Sequence, residues 1–203
     1  LGSSCIYPLN AQNPIKESSF MSGVLEPTNS PYAMAKLTAI ELGRSISKQY
    51  GHKIINLMPT NLYGPNDNFS EMDSHVIPSL IHKMHKAKIC KSKEFKIWGT
   101  GKPLREFLYV DDLILCIESL IESNIEEDLI NIGSSEEITI YDLAVLIKKI
   151  IGFDGELTFD LDKPDGNPRK LLDSSIIRNH GWAPKTSLEQ GLENTYNWYR
   201  QNL

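Results

Sequence analysis

Cysteine is scarce in this 203-residue sequence, with three in all. Cys5, Cys90 and Cys116 stand far apart, and an odd, scattered set builds no disulfide framework and no CxxC metal knuckle. Such usage fits a reducing compartment, here expected to be the cytoplasm. Long apolar runs are missing too. The stretch near Leu113 to Ile117 is broken by Glu118, well short of the ~20 residues a membrane helix needs, so no membrane association is expected. Positive charge is in deficit: 21 Lys and Arg face 26 Asp and Glu, a net charge of -5. That balance argues against a nucleic-acid partner. The first residues have neither the basic nor the apolar region of a secretory signal, and there is no internal repeat. No G-x-x-G-x-x-G follows a strand. GTGK at Gly99–Lys102 has no glycine at the upstream P-loop position and Pro103 in place of Ser/Thr, which excludes a phosphate loop.

What is present is ordinary soluble composition, 40% hydrophobic and 23% charged, with enough chain for one sizeable domain or two small ones. In NSPYAMAKLTAIELGRSISKQYG, Ser30 suits an N-cap, Pro31 the first helical position and Gly51 the stop. Positions 32, 35, 36, 39, 42, 43, 46 and 50 recur at helical spacing and are expected to face inward. HKIINLMP reads as a buried strand and TNLYGPNDN as turn. His75 to Lys88 reads as a helix, FKIWG as a strand, VDDLILCIESLIES as a helix and DLINIGS as a strand. Thr139 and Asp142 form a capping box for YDLAVLIKKIIG. A strand at ELTFD, a loop DKPDGNPRKLLD and a helix SLEQGLENTYNWYRQN complete the chain. Strands alternating with helices predict an α/β fold with a parallel sheet. Only two convincing buried strands serve that sheet, so the chain is expected to be part of a longer enzyme.

Tyr32 and Lys36 lie four apart on one helix and share a face. An ammonium one turn from a phenol can stabilise phenolate, and such a tyrosine can exchange a proton with a carbonyl or alcohol oxygen. A Gly-Ser-Ser upstream and a strand ending PTNLYGP downstream favour this over simple packing. Cys116, in an apolar helix, reads as a small core residue, and Cys90 as incidental. His82 and His85 read as a solvated helix face, since no third ligand is near for a metal.

LGSSCIYP, EPTNSPYAMAK, MPTNLYGPNDNF, SHVIPSLI, WGTGKPLREFLYVDD and KPDGNPRKLLD together resemble the extended short-chain dehydrogenase/reductase superfamily that acts on nucleotide sugars. The closer likeness is to the GDP-L-fucose synthase family, over essentially the whole chain. The resemblance implies the C-terminal part of a Rossmann-like doubly wound parallel sheet, at residues 1–65 and 105–135. A smaller α/β substrate domain would occupy 66–104 and 136–203. It implies a GDP-sugar substrate, NADP(H) as cofactor, and a homodimer. Ser3, Tyr32 and Lys36 match the superfamily's triad. Tyr32 would protonate the C4 oxygen, Lys36 would stabilise its phenolate and hold the nicotinamide ribose, and Ser3 would bond the reacting carbonyl. Cys5 resembles the base and His75 the acid of a 3,5-epimerisation. Leu1, Gly2, Ser3, Ser4, Pro59, Thr60, Asn61 and Leu62, with Lys36 and His75, would line the cofactor. Asn61, Lys83, Trp98, Arg105 and Asp165 would bind substrate, and no metal is implied. The family's glycine-rich cofactor fingerprint is not in these 203 residues, so the chain alone is expected to be inactive. A 4,6-dehydratase would be expected to carry Thr-Asp-Glu at positions 3–5, and a C4 epimerase needs no Cys/His pair. A non-catalytic nucleotide-sugar-binding remnant is the remaining alternative.

Overall fold

The computed structural model describes residues 1–71 and 73–203. A 3-10 turn at Ser4–Ile6 precedes helix α1 (Ser30–Tyr50), which stops at Gly51 as the sequence predicts but starts one residue early: Ser30 is already helical and the cap position is Asn29, whose side chain makes no capping bond. Strands β1 (Asn56–Pro59) and β2 (Asn61–Tyr63) follow, then α2 (Val76–Ile89), β3 (Glu94–Trp98), β4 (Leu104–Tyr109) and α3 (Val110–Ile121). The remaining elements are β5 (Leu129–Ile132), β6 (Glu137–Thr139), α4 (Ile140–Ile151), β7 (Glu156–Asp160), β8 (Arg169–Lys170), α5 (Ser175–Asn179) and α6 (Leu188–Gln201). Among the described residues, no helix is long and apolar enough to cross a membrane.

The two strands expected to be buried, β1 and β5, pair in parallel from Asn56 opposite Leu129 to Pro59 opposite Ile132. A second sheet centres on β4, parallel to β2 and β8 and antiparallel to β6. β3 and β7 form a further parallel pair. The α/β class with parallel pairing therefore holds. Four strands escaped the sequence pattern. β2 lies in the stretch read as turn, β6 and β8 are only three and two residues long, and β4 carries Arg105 and Glu106 inside an otherwise apolar run. A charged pair in mid-strand breaks the pattern that signals burial, although here the tertiary structure satisfies both charges.

Helix α1 corrects one expectation. Its buried residues are Ala33, Leu37, Ile40 and Gly43, so Gly43 alone of the predicted stripe lies inside. Tyr32, Leu42 and Tyr50 are exposed. Counting the two tyrosines as core anchors rotated the expected face by about one residue, roughly 100° of helix. Leu37 and Ile40 instead pack with Ile6, Tyr7, Met58, Leu129 and Leu172. That brings the Ser4–Ile6 turn against the helix bearing Tyr32 and Lys36. A second cluster joins Leu57, Leu108, Leu113, Cys116, Ile130 and Trp182. Cys116 is fully buried there, as expected, and burial pushes its thiol up to about 12. The third cluster fills the space among α2, α4, α6, β3 and β4, around Met84, Ile97, Phe107, Leu143 and Tyr196.

At the Thr139 cap, the hydroxyl accepts from Asp142 N–H at 3.0 Å and donates to the Asp142 carboxylate at 2.6 Å. The expected pair therefore forms, but closes side chain to side chain. Deeper in, Asn131 is fully buried and ties three segments. Its Nδ2 donates to the Ile15 and Asp173 carbonyls, its Oδ1 accepts from the Tyr7 hydroxyl at 2.6 Å, and its backbone N–H donates to Glu17. A buried acceptor stripped of its donor costs about 1–3 kcal/mol. Tyr7→Phe is therefore expected to lower unfolding free energy by about that amount in urea titrations; an unchanged midpoint would refute the network's role.

Candidate active site

The turn after Gly2 sets the first two groups. Gly2 N–H donates to the Leu57 carbonyl at 2.8 Å, which lays the chain start along β1. A side chain at Gly2 would meet the tip of the Met58 side chain, which would have to shift to admit it. Ser3 then caps the 3-10 turn, its Oγ accepting from Cys5 N–H at 3.2 Å. Its hydroxyl proton is thus left for an outside acceptor. Cys5 is partly exposed, and Lys170 Nζ donates to its sulfur at 3.6 Å.

One helix over, Tyr32 projects half exposed. Lys36 Nζ sits 5.7 Å from the Tyr32 ring centroid and donates to the Leu1 carbonyl at 3.0 Å. The lysine therefore joins the tyrosine helix to the Leu1–Ser3 segment. Ser3 and Cys5, and Tyr32 and Lys36, are two linked pairs on packed elements. His75 stands apart. It is exposed at the start of α2, where its carbonyl accepts from Ser79 N–H, and its side chain makes no capping bond.

At the end of β1, Pro59 and the next residue Thr60 are buried, and Asn61 and Leu62 of β2 are half-buried. Asn61 Nδ2 donates to the Glu106 carbonyl at 2.8 Å, and the Thr60 hydroxyl to the same oxygen at 3.2 Å. The ammonium, phenol and edge backbone at Lys36, Tyr32 and Leu1–Ser3 form the kind of donor set that a ribose and a carboxamide require, so these residues fit a nicotinamide half. Among the described residues there is no glycine-rich cradle for a pyrophosphate.

Of the residues expected to hold substrate, Lys83, Trp98, Arg105 and Asp165 lie around the end of β3 and the start of β4, whereas Asn61 is held at the Glu106 carbonyl. Trp98 is exposed, with Lys83 Nζ 4.5 Å and Lys163 Nζ 5.5 Å from its ring centroid. Such cation contacts with an indole face favour an open platform over core packing. Arg105 Nη1 donates to the Leu104 and Asn167 carbonyls at 2.8 and 2.6 Å, while burial holds its guanidinium below the usual arginine range. Asp165 accepts from Thr100 N–H and Oγ1 at 2.9 and 2.6 Å, and these bonds hold its carboxyl below the usual range. The Asp165 carboxylate fills the space beside Gly99, whose φ of 71° a side-chain-bearing residue adopts poorly. GTGK is thus a turn closed by a carboxylate, in keeping with the rejected P-loop. His82 and His85 depart from expectation: each Nδ1 lies 3.0 Å from a hydroxyl of α6, Tyr199 and Tyr196 respectively. They are packing residues rather than a solvated face. No metal-holding cluster is present among the described residues. Clefts of about 380 and 400 Å³ open elsewhere, at Lys149 and Arg200 and at Tyr63 and Thr186.

Sequence reasoning missed Glu106 and Lys170 as organisers. Glu106 is fully buried. One oxygen accepts from Ser135 N–H at 2.7 Å and the other from Leu172 N–H at 3.1 Å. Burial raises its carboxyl despite those bonds. The signal for Lys170 was already in the quoted PRK run, but its partner Cys5 lies 165 residues away in sequence.

Comparison with known proteins places residues 1–133 in a match to the NAD dependent epimerase/dehydratase family. Over all 203 residues the chain is 51% identical to probable GDP-L-fucose synthase 1 of Oryza sativa subsp. japonica, covering 62% of it. It is 50% identical to GDP-L-fucose synthase 1 of Arabidopsis thaliana, covering 63%. A crystal structure of a GDP-L-fucose synthetase from Naegleria fowleri bound to NADP superposes with a TM-score of 0.92 at 32% identity. That match covers 99% of this chain and 65% of the other. The chain thus spans less than two thirds of the length of these relatives.

Glu106 generates a pH signature. Its folded-state value lies above the unfolded one, so the folded state binds the proton more tightly. The stabilisation is complete below the unfolded value of ~4.3 and is lost as pH rises through the raised folded value. Glu106→Gln should narrow the difference in urea midpoint between acidic and neutral pH. An unchanged difference would mean that Glu106 does not titrate in this way.

Proposed function

The chain belongs to the NAD dependent epimerase/dehydratase family, and from that premise we propose that its chemistry is the conversion of GDP-4-dehydro-6-deoxy-D-mannose to GDP-L-fucose. The reaction combines 3,5-epimerisation with NADPH-dependent reduction at C4. The observation that carries this reading is the Ser3–Cys5 turn, where a hydroxyl caps the backbone of a thiol-bearing residue against the helix of Tyr32 and Lys36. Residues 1–65 with 105–135 form the dinucleotide side of the division, and 66–104 with 136–203 the sugar side.

The C4 ketone acidifies the protons on C3 and C5. Cys5 takes a proton from one face and His75 returns one from the other, so that each centre inverts through an enolate. Ser3 donates its hydroxyl proton to the C4 oxygen and steadies the charge there. Tyr32 then gives its phenolic proton to that oxygen, with the Lys36 ammonium nearby to offset the phenolate left behind. NADPH, held by Lys36, the Leu1–Ser4 backbone, the Pro59–Leu62 segment and His75, would supply the hydride. Trp98 offers a face to the guanine, Asp165 and Asn61 offer polar contacts, and Lys83 and Arg105 supply charge for the diphosphate. A homodimer and a cytoplasmic location accompany the same reading. Among the described residues there is no pyrophosphate cradle, so NADPH titrated into the isolated chain should show no micromolar binding, and a micromolar Kd would overturn that expectation.

The two half-reactions separate by mutation. In deuterated buffer, Cys5→Ser in the enzyme at full natural length should abolish deuterium entry at C3 and C5. Consumption of NADPH with already epimerised substrate should persist. Tyr32→Phe should do the reverse, slowing reduction by roughly 10²–10⁴-fold. Undiminished deuterium entry in the Cys5 variant would remove the epimerase assignment.

A further inference from the structure

Lys170 is the one described side chain that donates to the Cys5 sulfur, at 3.6 Å. It does not reach there by chance of a floppy loop. β8 pairs with β4, placing Lys170 opposite Arg105. Its neighbour Arg169 forms a two-pronged bond to Glu137 of β6, with contacts from 2.6 to 3.1 Å. Leu171 N–H donates to Asn13 Oδ1, the Leu171 carbonyl accepts from Ile15 N–H, and Leu172 N–H donates to buried Glu106. The residues flanking Lys170 are thus fixed from both sides.

We propose that Lys170 is a positioning residue for the epimerisation, its ammonium holding the Cys5 sulfur in place and offsetting the negative charge the sulfur carries before it takes a proton. The inference rests on the reading of Cys5 as base. In the step itself, the C–H bond at C3 or C5 breaks and an S–H bond forms. The carbon's electron pair passes into the enolate and onto O4. Lys170 keeps its proton throughout, and no electron is transferred to or from the protein. The donor that meets the Cys5 sulfur comes from across the fold, 165 residues away in sequence.

The test uses the enzyme at full natural length and follows deuterium entry at C3 and C5 beside reduction of already epimerised substrate. Lys170→Met should slow deuterium entry by roughly 10- to 100-fold and leave reduction nearly native. Lys170→Arg, which keeps the charge, should recover most of the exchange. Iodoacetamide labelling gives a substrate-free check in a Cys90→Ser background, Cys90 being exposed and Cys116 buried. There Lys170→Met, or Lys170→Gln if the first variant folds poorly, should slow alkylation of Cys5 about tenfold at neutral pH. Native exchange or alkylation in the Met variant, with exchange lost in Cys5→Ser, would overturn the Lys170 proposal alone. Equal loss of exchange and reduction would also overturn it, since that is the mark of a substrate contact. Exchange surviving in Cys5→Ser would remove the base assignment and this proposal with it.

Discussion

A fully buried carboxylate at Glu106 organises the middle of this molecule. An unpaired charge there would cost several kcal/mol, and no cation lies in hydrogen-bond contact with it among the described residues. Its two oxygens are met instead by the backbone N–H groups of Ser135 and Leu172. The carboxylate can stay inside only while the segments after β5 and β8 both remain against β4. The carbonyl of the same residue receives Thr60 and Asn61 from the junction of β1 and β2. One residue therefore joins the β1 segment, the β5–β6 turn and the β8 segment, and the candidate site is assembled around those three.

The same economy of polar groups shapes the site's two ends. At one, Ser3 uses its oxygen to finish a 3-10 turn, and Lys36 spans from α1 to the Leu1 carbonyl. At the other, Asp165 closes the Gly99–Lys102 turn through Thr100, leaving Trp98 facing outward between Lys83 and Lys163. In both places a residue with a proposed role is also held by a local hydrogen bond or cation contact. Such holding limits the rotamers open to it and so favours a site set before substrate arrives.

Much of this was legible in the chain. The Gly stop of α1, the Thr139 cap, the β1 and β5 strands and the core position of Cys116 all follow from local chemistry or from periodicity, whereas the start of α1 lies one residue earlier than its Ser-Pro pair suggests. The motif residues Ser3, Cys5, Tyr32 and Lys36 could be picked out because each lies in a short run of quoted sequence. What misled was also local. Tyr32 and Tyr50 counted as apolar and turned the expected inward face of α1, while Arg105 and Glu106 hid β4. His82 and His85 looked solvated because their partners, Tyr199 and Tyr196, belong to a helix more than a hundred residues later.

The sequence by itself determined where helices begin and end and which side chains can carry proton transfer, because capping, turn chemistry and side-chain identity act within a few residues. Tertiary structure alone decided that Lys170 meets Cys5, that Glu106 can be buried, and that Trp98 faces outward. Those outcomes depend on hydrogen bonds and packing between segments up to 165 positions apart. No local pattern records a pairing whose two halves are selected only when the strands between them close.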